Sequence, residues 1–504
     1  MSVDLLLGAV VLLPLAAAGP TALLGPRGGS VTGAATALLT GALSLLLIFE
    51  TVSRGVQETA LGGYGAPLGI HLRADGLSAV FLGLTALVGV SLSVFAAASR
   101  DTPRGFWPLW LGCWSGLNAV FLSGDLFNTY VGLELVGLTA VALVALGGRG
   151  AWAAALRYLF IAVLGSLLFL VGVGLLVSVT GTLDISQTAA ALQQPGGEQE
   201  PALLLAAGLM TVGLALKLAL VPMHAWLISA HSQAPGAVSP LLSGLVIKAA
   251  LFVILRVWLW VLPEAQAAEP LAWILGALGA AAVIGASLVA LRQVRLKPLI
   301  AYSTVAQVGY WFLAFPLLIE TMPGHDDVAP GAYSGIVALA VGHGIAKAGL
   351  FAAAGYLKDT YGTDEIVELH GAVRTHPMVV MSMGLSAVGL IGLPVSLGFA
   401  GKWQVATAAV EAQQWWILVV VAVGTVLTAG YLVRGIAPLL MQEDPHAGDD
   451  DLSSDDTTEG PTVKTSRNFT SVPGMAVLAL GSATILTGFL PAWLADVLEV
   501  GAPW

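Results

Sequence analysis

The 504-residue chain is 57% hydrophobic and only 10% charged, with a mean hydropathy of +0.88 and a formal net charge of −10. A soluble domain carries about 25% charged residues, so this composition excludes a water-soluble globular protein and places the chain in a bilayer. One cysteine, Cys113, excludes an internal disulfide and a cysteine-ligated cluster, and no Walker loop or dinucleotide fingerprint stands in a strand–helix context.

A helix needs about 20 apolar residues to cross hydrocarbon. Fourteen segments are read as spans, near 4–22, 31–53, 76–99, 106–123, 125–147, 153–179, 203–228, 238–262, 271–292, 299–319, 332–357, 377–407, 414–440 and 472–498. The first lacks a basic start, and its "AAAGP" is a weak cleavage site, so it reads as a span rather than a signal peptide. The fifth holds Glu134 within "GDLFNTYVGLELVGL". In the seventh, Lys217 precedes Pro222, where the missing N–H and the ring should break the helix. Backbone freed in a membrane is tolerated only where protein or water satisfies it. His224 follows the break, and His231 lies just beyond it. The eighth span carries Lys248 and Arg256. The eleventh carries His343 and Lys347, four apart and so on one helix face. The twelfth, "GLPVSLGFAGKW", is interrupted at Pro394, Gly398 and Gly401, and Lys402 follows directly. Between the last two spans, residues 441–471 form an acidic loop, and the stretch from Glu443 has eight acidic residues and no basic one.

Interrupted spans at the seventh and twelfth positions are five apart, an odd number, so equivalent elements cross in opposite directions. This predicts an all-α polytopic membrane protein, one membrane domain over 1–504, with an inverted repeat of 106–262 (spans 4–8) and 271–440 (spans 9–13). On that count thirteen loop Lys and Arg fall on one side, against Arg54 and Arg73 on the other. The positive side is cytoplasmic, so both termini are expected outside the cell membrane.

An ammonium group in hydrocarbon costs roughly 3 kcal/mol by insertion scales. A chain that only had to span would not keep Lys217, Lys248, Lys347 and Lys402 together with Glu134. Burial favours a neutral amine and a nearby carboxylate favours the ammonium. Moving a Glu by a few ångströms relative to a Lys therefore loads or releases a proton. Glu134, the acidic residue placed deep in a span, is the expected partner of Lys217, with Lys248, His343, Lys347 and Lys402 as further proton stops. Arg256 divides between snorkelling and a structural pair. His224 divides between packing and relay. Arg434 reads as an interface anchor.

These residues resemble the antiporter-like subunits of respiratory complex I, membrane-bound hydrogenases and Mrp-type Na+/H+ antiporters. The marks are "GDLFNTYVGLE", "ALKLALVPMHAWL", "AHSQAPGAVSPLLSGLVIK", "LKPLIAYSTVAQVGY", "GHGIAKAGLF" and "GLPVSLGFAGKW". The resemblance covers spans 3 to 13. It implies fourteen helices with inverted five-helix repeats, and a Glu134–Lys217 charge pair. It further implies a mid-membrane polar axis through Lys248, His343 and Lys347 to Lys402, with His231 as a gate. Ile228 and Ser229 stand where the family usually has Pro-Asp, and Arg295, Lys297 and Pro298 depart from its usual pattern before the tenth span. Lys402, the "AHSQAP" stretch and the length look most like the D-type member of the Mrp antiporters.

The expected function is proton translocation within a multisubunit complex, most like Na+/proton antiport, with other membrane subunits as partners. A proton-pumping subunit of a complex I-like oxidoreductase or hydrogenase is the alternative. A stand-alone solute transporter would show a long central loop with clustered Arg and Asp, a cluster that 229–237 and 263–270 lack. A membrane transferase would hold its charges at an interface, and a relative that has lost pumping would not keep the whole set. No cofactor or metal is expected in this chain, and any redox centre would lie in partner chains.

Overall fold

The computed structural model describes residues 2–65, 69–99, 102–192, 201–262, 268–319, 327–441 and 471–504. Helices α1 (Val3–Leu23) and α2 (Pro26–Arg54) lead into an antiparallel hairpin, β1 (Gln57–Ala60) with β2 (His71–Ala74), in which Gln57 faces Ala74. Then come α3 (Gly76–Ala98), α4 (Phe106–Leu122), α5 (Leu126–Ala145), α6 (Arg149–Thr180), a short α7 (Ile185–Leu192), α8 (Pro201–Leu218) and α9 (Ala225–Gln233). A single long rod, Val238–Val261, joins α10 (Val238–Leu241) and α11 (Ile247–Arg256) through π-helical turns at Leu242–Val246 and Val257–Val261. The second half contains α12 (Glu269–Ala290), α13 (Leu296–Leu313), a one-turn α14 (Phe315–Leu318), α15 (Val328–Tyr361), α16 (Pro377–Ile391), α17 (Leu397–Glu411) and α18 (Trp415–Leu440). It closes with α19 (Val472–Leu486) and α20 (Pro491–Leu498).

Among the described residues, ten helices are long and apolar enough to cross a membrane, and Ala202–Leu218 and Pro377–Ile391 are shorter apolar helices. Several helices start at a side-chain cap. Asp75 accepts from Ser78 N–H ahead of α3, Asp125 from Asn128 N–H ahead of α5, and Ser396 from Phe399 N–H ahead of α17. The rod at Val238–Val261, apart from the half-buried Trp260, and the centre of α15 are buried, whereas α1 and α2 leave Leu12, Leu15, Leu38 and Leu45 exposed. In a bilayer these outer leucines face lipid. Hydrophobic burial then gives helices no reason to associate, so close packing of small residues takes over. A Cβ on Gly213 of α8 would lie 2.4 Å from Gly165 O of α6, and one on Gly401 of α17 would lie 2.7 Å from Gly335 O of α15. Each interrupted element thus crosses its neighbour at backbone contact, just before its lysine.

At one membrane face, Gly124 N–H bonds to His71 O, Ile185 N–H to Gly124 O and Leu126 N–H to Leu183 O, so β2 is tied to two helix junctions. At the ends of α13 and α15 a second strap forms, with Leu296 N–H to Asp364 O and Ile366 N–H to Val294 O. The acidic loop of 441–471 lies almost wholly outside the described residues.

Candidate functional site

The break after α8 follows from local chemistry. Ala219 takes a left-handed φ of +57° and Pro222 donates no N–H, so regular helix stops at Leu218 and resumes at Ala225. The indole of Trp226, stacked on Tyr158 at 4.2 Å, donates at 3.0 Å to the Leu216 carbonyl, which also accepts from the Ala219 N–H. Lys217 projects from this last turn. Its Nζ lies 3.9 Å from Glu134 Oε1 of α5, with 10% of the lysine and 24% of the glutamate side chain exposed. That is an ion pair without a direct hydrogen bond, and Glu134 Oε1 has no other partner. A cavity of about 20 Å³ borders Lys217, Gly137 and Tyr158 on one side and Val246, Ala249 and Ala250 on the other. One water fits such a volume, and the second wall is the turn that carries Lys248.

Lys248 follows the first π-helical turn, a feature that often marks functional positions in helices. Its Nζ donates to Ser243 O at 2.7 Å and meets Nδ1 of His343 at 2.6 Å, 5.1 Å from the Trp311 ring centre. One helical turn further along α15, Lys347 donates to Ile300 O at 2.8 Å and to the Ser303 hydroxyl. A turn beyond that, Phe351 stacks on His231 at 4.3 Å. His231 is fully buried, and neither of its ring nitrogens has a partner. The second break repeats the first. Val395 adopts φ +74°, the chain leaves α16 at Ile391, and Lys402 of α17 donates to the freed Ile391 carbonyl at 2.8 Å and to Thr425 Oγ1 at 2.9 Å. The Tyr310 ring covers the ammonium at 4.7 Å. Between Lys347 and Lys402, Gln307 donates to Leu390 O at 3.1 Å.

The structure therefore joins Glu134 with Lys217, and Lys248 with His343, and sets Lys347 and His231 along the same stretch of α15. Among the described residues Lys217 alone of the row has an acidic partner; Lys248, Lys347 and Lys402 rest on carbonyls, hydroxyls and a histidine. His224 sits at the start of α9 with Nδ1 unpartnered. Arg434 is exposed and reaches Gln293 O at 3.2 Å.

Arg256 is a structural pair rather than a snorkelling residue. Its guanidinium forks onto both oxygens of Asp75 at 2.6 and 2.8 Å, with Trp260 beneath it at 4.3 Å. Asp75 carried no signal in the sequence, because it precedes a span rather than lying within one. Lys297, taken from its position as a loop cation, is buried and donates to Ala234 O at 2.9 Å. Outside the spans, His71 Nδ1 meets Asp184 Oδ2 at 2.8 Å. That bond raises the histidine above its ordinary pKa, against the effect of its burial. Burial pushes Asp184 up, but bonds from His71, Ser186 and the Gln187 N–H outweigh it and hold the carboxyl at about 2.

A helical membrane body with charges held at interrupted helices defines a class of ion-translocating integral membrane subunits. Residues 123–428 match the family described as NADH:quinone oxidoreductase/Mrp antiporter, TM, a span that includes all seven sequence-derived site residues. The chain is 32% identical over 489 residues to the NADH-quinone oxidoreductase subunit N of Desulforudis audaxviator, covering 95% of this chain and 93% of that one. It is 30% identical over 372 residues to the D-type subunit of the Na(+)/H(+) antiporter of Alkalihalophilus pseudofirmus, covering 73% and 72%. In shape it matches a chain in the structure of the Mrp complex from Dietzia sp. DQ12-45-1b, with a TM-score of 0.86, 25% identity, and 99% and 98% of the two chains covered. The chain belongs to the NADH:quinone oxidoreductase/Mrp antiporter family, as its motifs led us to expect.

Proposed function

We propose that this chain is a proton-translocating, antiporter-like subunit of a multisubunit membrane complex, and that it serves monovalent cation/proton antiport. The observation that carries the reading is the Lys217–Glu134 pair at a helix break, with Lys248, His343, Lys347 and Lys402 buried beyond it. A proton loads Lys217 while Glu134 stands beside it and is released when Glu134 moves away, passing by Lys248, His343 and Lys347 to Lys402, with His231 gating. Fourteen spans in one membrane domain over 1–504, with 106–262 and 271–440 as inverted repeats and both termini outside, suit this role. The matching glycine crossings at Gly165–Gly213 and Gly335–Gly401 support the repeat. The test is Lys217→Ala in the assembled complex. Cation-driven proton movement in everted vesicles should be lost while the complex still assembles, and retained transport would end this role for Lys217.

A second reading, a proton-pumping subunit of a complex I-like oxidoreductase, is favoured by the greater coverage of the oxidoreductase relative, 95% of this chain against 73% for the antiporter relative. Affinity purification through a tag on this chain separates the two. Small membrane subunits alone would favour antiport, and co-purifying iron–sulfur subunits would favour the pump.

A further inference from the structure

Far along the chain from the charged row, a cavity of about 760 Å³ opens where α1 turns into α2 and α3 into α4. Arg27, Ser30, Thr102, Arg104 and Trp107 help to line it. Among the described residues, neither Arg27 nor Arg104 has a carboxylate within salt-bridge distance, as is true of Arg149, Arg157, Arg292, Arg374 and Arg434. Two helices also begin at the rim. The first turn of α2 follows Gly25 and that of α4 follows Gly105, and neither cap residue has a side chain to accept from the free N–H groups. Uncapped N-termini carry partial positive charge, so guanidinium groups and backbone donors line the same hollow.

The surroundings say what kind of anion fits. The rim runs onto outward apolar surface at Leu23, Leu24 and Val31, all exposed, and the lipid-side leucines of α1 and α2 continue it. Trp107 closes the inner wall, its ring so close to α2 that a Cβ on Gly33 would lie 2.2 Å from it. A free phosphate needs only a fraction of this volume and no greasy margin. Basic pockets between spans hold anionic lipid headgroups by the same combination.

We propose that this cavity binds an anionic phospholipid, with the phosphate on Arg27 and Arg104 and the acyl chains along α1 and α2. The lipid would brace α1, the least buried of the described spans, and α2 against α3 and α4. The test uses the purified complex containing the full chain, stripped of lipid in neutral detergent, with the thermal midpoint followed as each probe is added. Dioleoylphosphatidylglycerol should raise the midpoint, and dioleoylphosphatidylcholine and inorganic phosphate should not. Arg27→Gln with Arg104→Gln should require about thirtyfold more phosphatidylglycerol for half the shift, from the size of one surface basic contact per arginine. Arg27→Lys with Arg104→Lys should keep the response. An unchanged titration in the double Gln variant overturns the proposal. So does an equal response to phosphatidylcholine, or a shift given by inorganic phosphate alone, which would mark a free-anion site.

Discussion

Replacing Glu134 tests whether the first lysine is governed by charge or by shape. At 3.9 Å, opposite unit charges attract by about 4 kcal/mol at an effective dielectric of 20, and by about 1 kcal/mol if water screens them fully. Glu134→Gln keeps the outline and deletes the charge. If loading of Lys217 limits turnover, transport should fall between roughly fivefold and a thousandfold, since each 1.4 kcal/mol is a factor of ten. Glu134→Asp pulls the carboxylate back by about one carbon–carbon bond, ~1.5 Å, so the gap opens to roughly 5.4 Å. The attraction then drops by only about 1 kcal/mol, and transport should fall several-fold. The expected order is Glu above Asp above Gln. The assay is fluorescence-monitored collapse of a pH gradient on adding sodium to everted vesicles, with assembly checked on a native gel. A fully active Gln variant would remove Glu134 from the mechanism. An Asp variant as poor as Gln would show that fit, not field, is what matters.

Two further outcomes follow from groups outside the row. Asp75→Asn leaves the Arg256 guanidinium buried with half its partner, and breaking one side of a buried pair costs about 3–5 kcal/mol. The purified protein should unfold at clearly lower denaturant, and Arg256→Met in the same background should recover part of the loss; an unshifted midpoint for Asp75→Asn would mean the pair is not holding α3 to the central rod. The His71–Asp184 strap should be pH-dependent. His71 is raised, so its contribution is full below its unfolded value of about 6.5 and fades as pH climbs through the folded one. Asp184 is lowered to about 2, so its contribution is full above an unfolded value of about 3.9 and fades as pH falls toward 2. Amide exchange at residues 183–187 should therefore be slower at pH 5.5 than at pH 8.5 after correction for intrinsic rates, and His71→Phe should erase the difference. Equal protection at both pH values in the wild-type chain would refute the strap.

Much of this was legible in the sequence because a membrane makes polar side chains conspicuous. Lys217, Lys248, Lys347 and Lys402 stand out in apolar runs, and the prolines at 222 and 394 point to the two interruptions. What the residues could not convey is whom each group meets. Arg256 divided evenly between two readings, and only the packing of α3 against the central rod gives it Asp75. Lys297 looks like any cation beside a helix start. Its burial depends on Ala234, 63 positions away, coming to lie over it. The π-helical turn before Lys248 has no proline or glycine pattern of its own strong enough to announce it. In each case the missing information is a long-range contact, which spacing along one helix does not encode.

The partners of the row set a limit on how charge can occupy it. Lys248 Nζ and His343 Nδ1 are 2.6 Å apart, a hydrogen-bond separation. Two N–H groups cannot point at each other across that gap, so one proton sits between them and one of the two nitrogens presents a lone pair. An excess proton reaching this contact from Lys217 must displace the bond or leave by the far side of the imidazole. His343 Nε2 is buried and unpartnered, which leaves it open to pass a proton on. Lys347 and Lys402, with no carboxylate beside them among the described residues, offer no strong electrostatic trap for that proton. The one place in the row where charge is held by an opposite charge, among the described residues, is Lys217 with Glu134 at its start. Control therefore belongs at that pair. The groups beyond it are arranged to relay a proton rather than retain it.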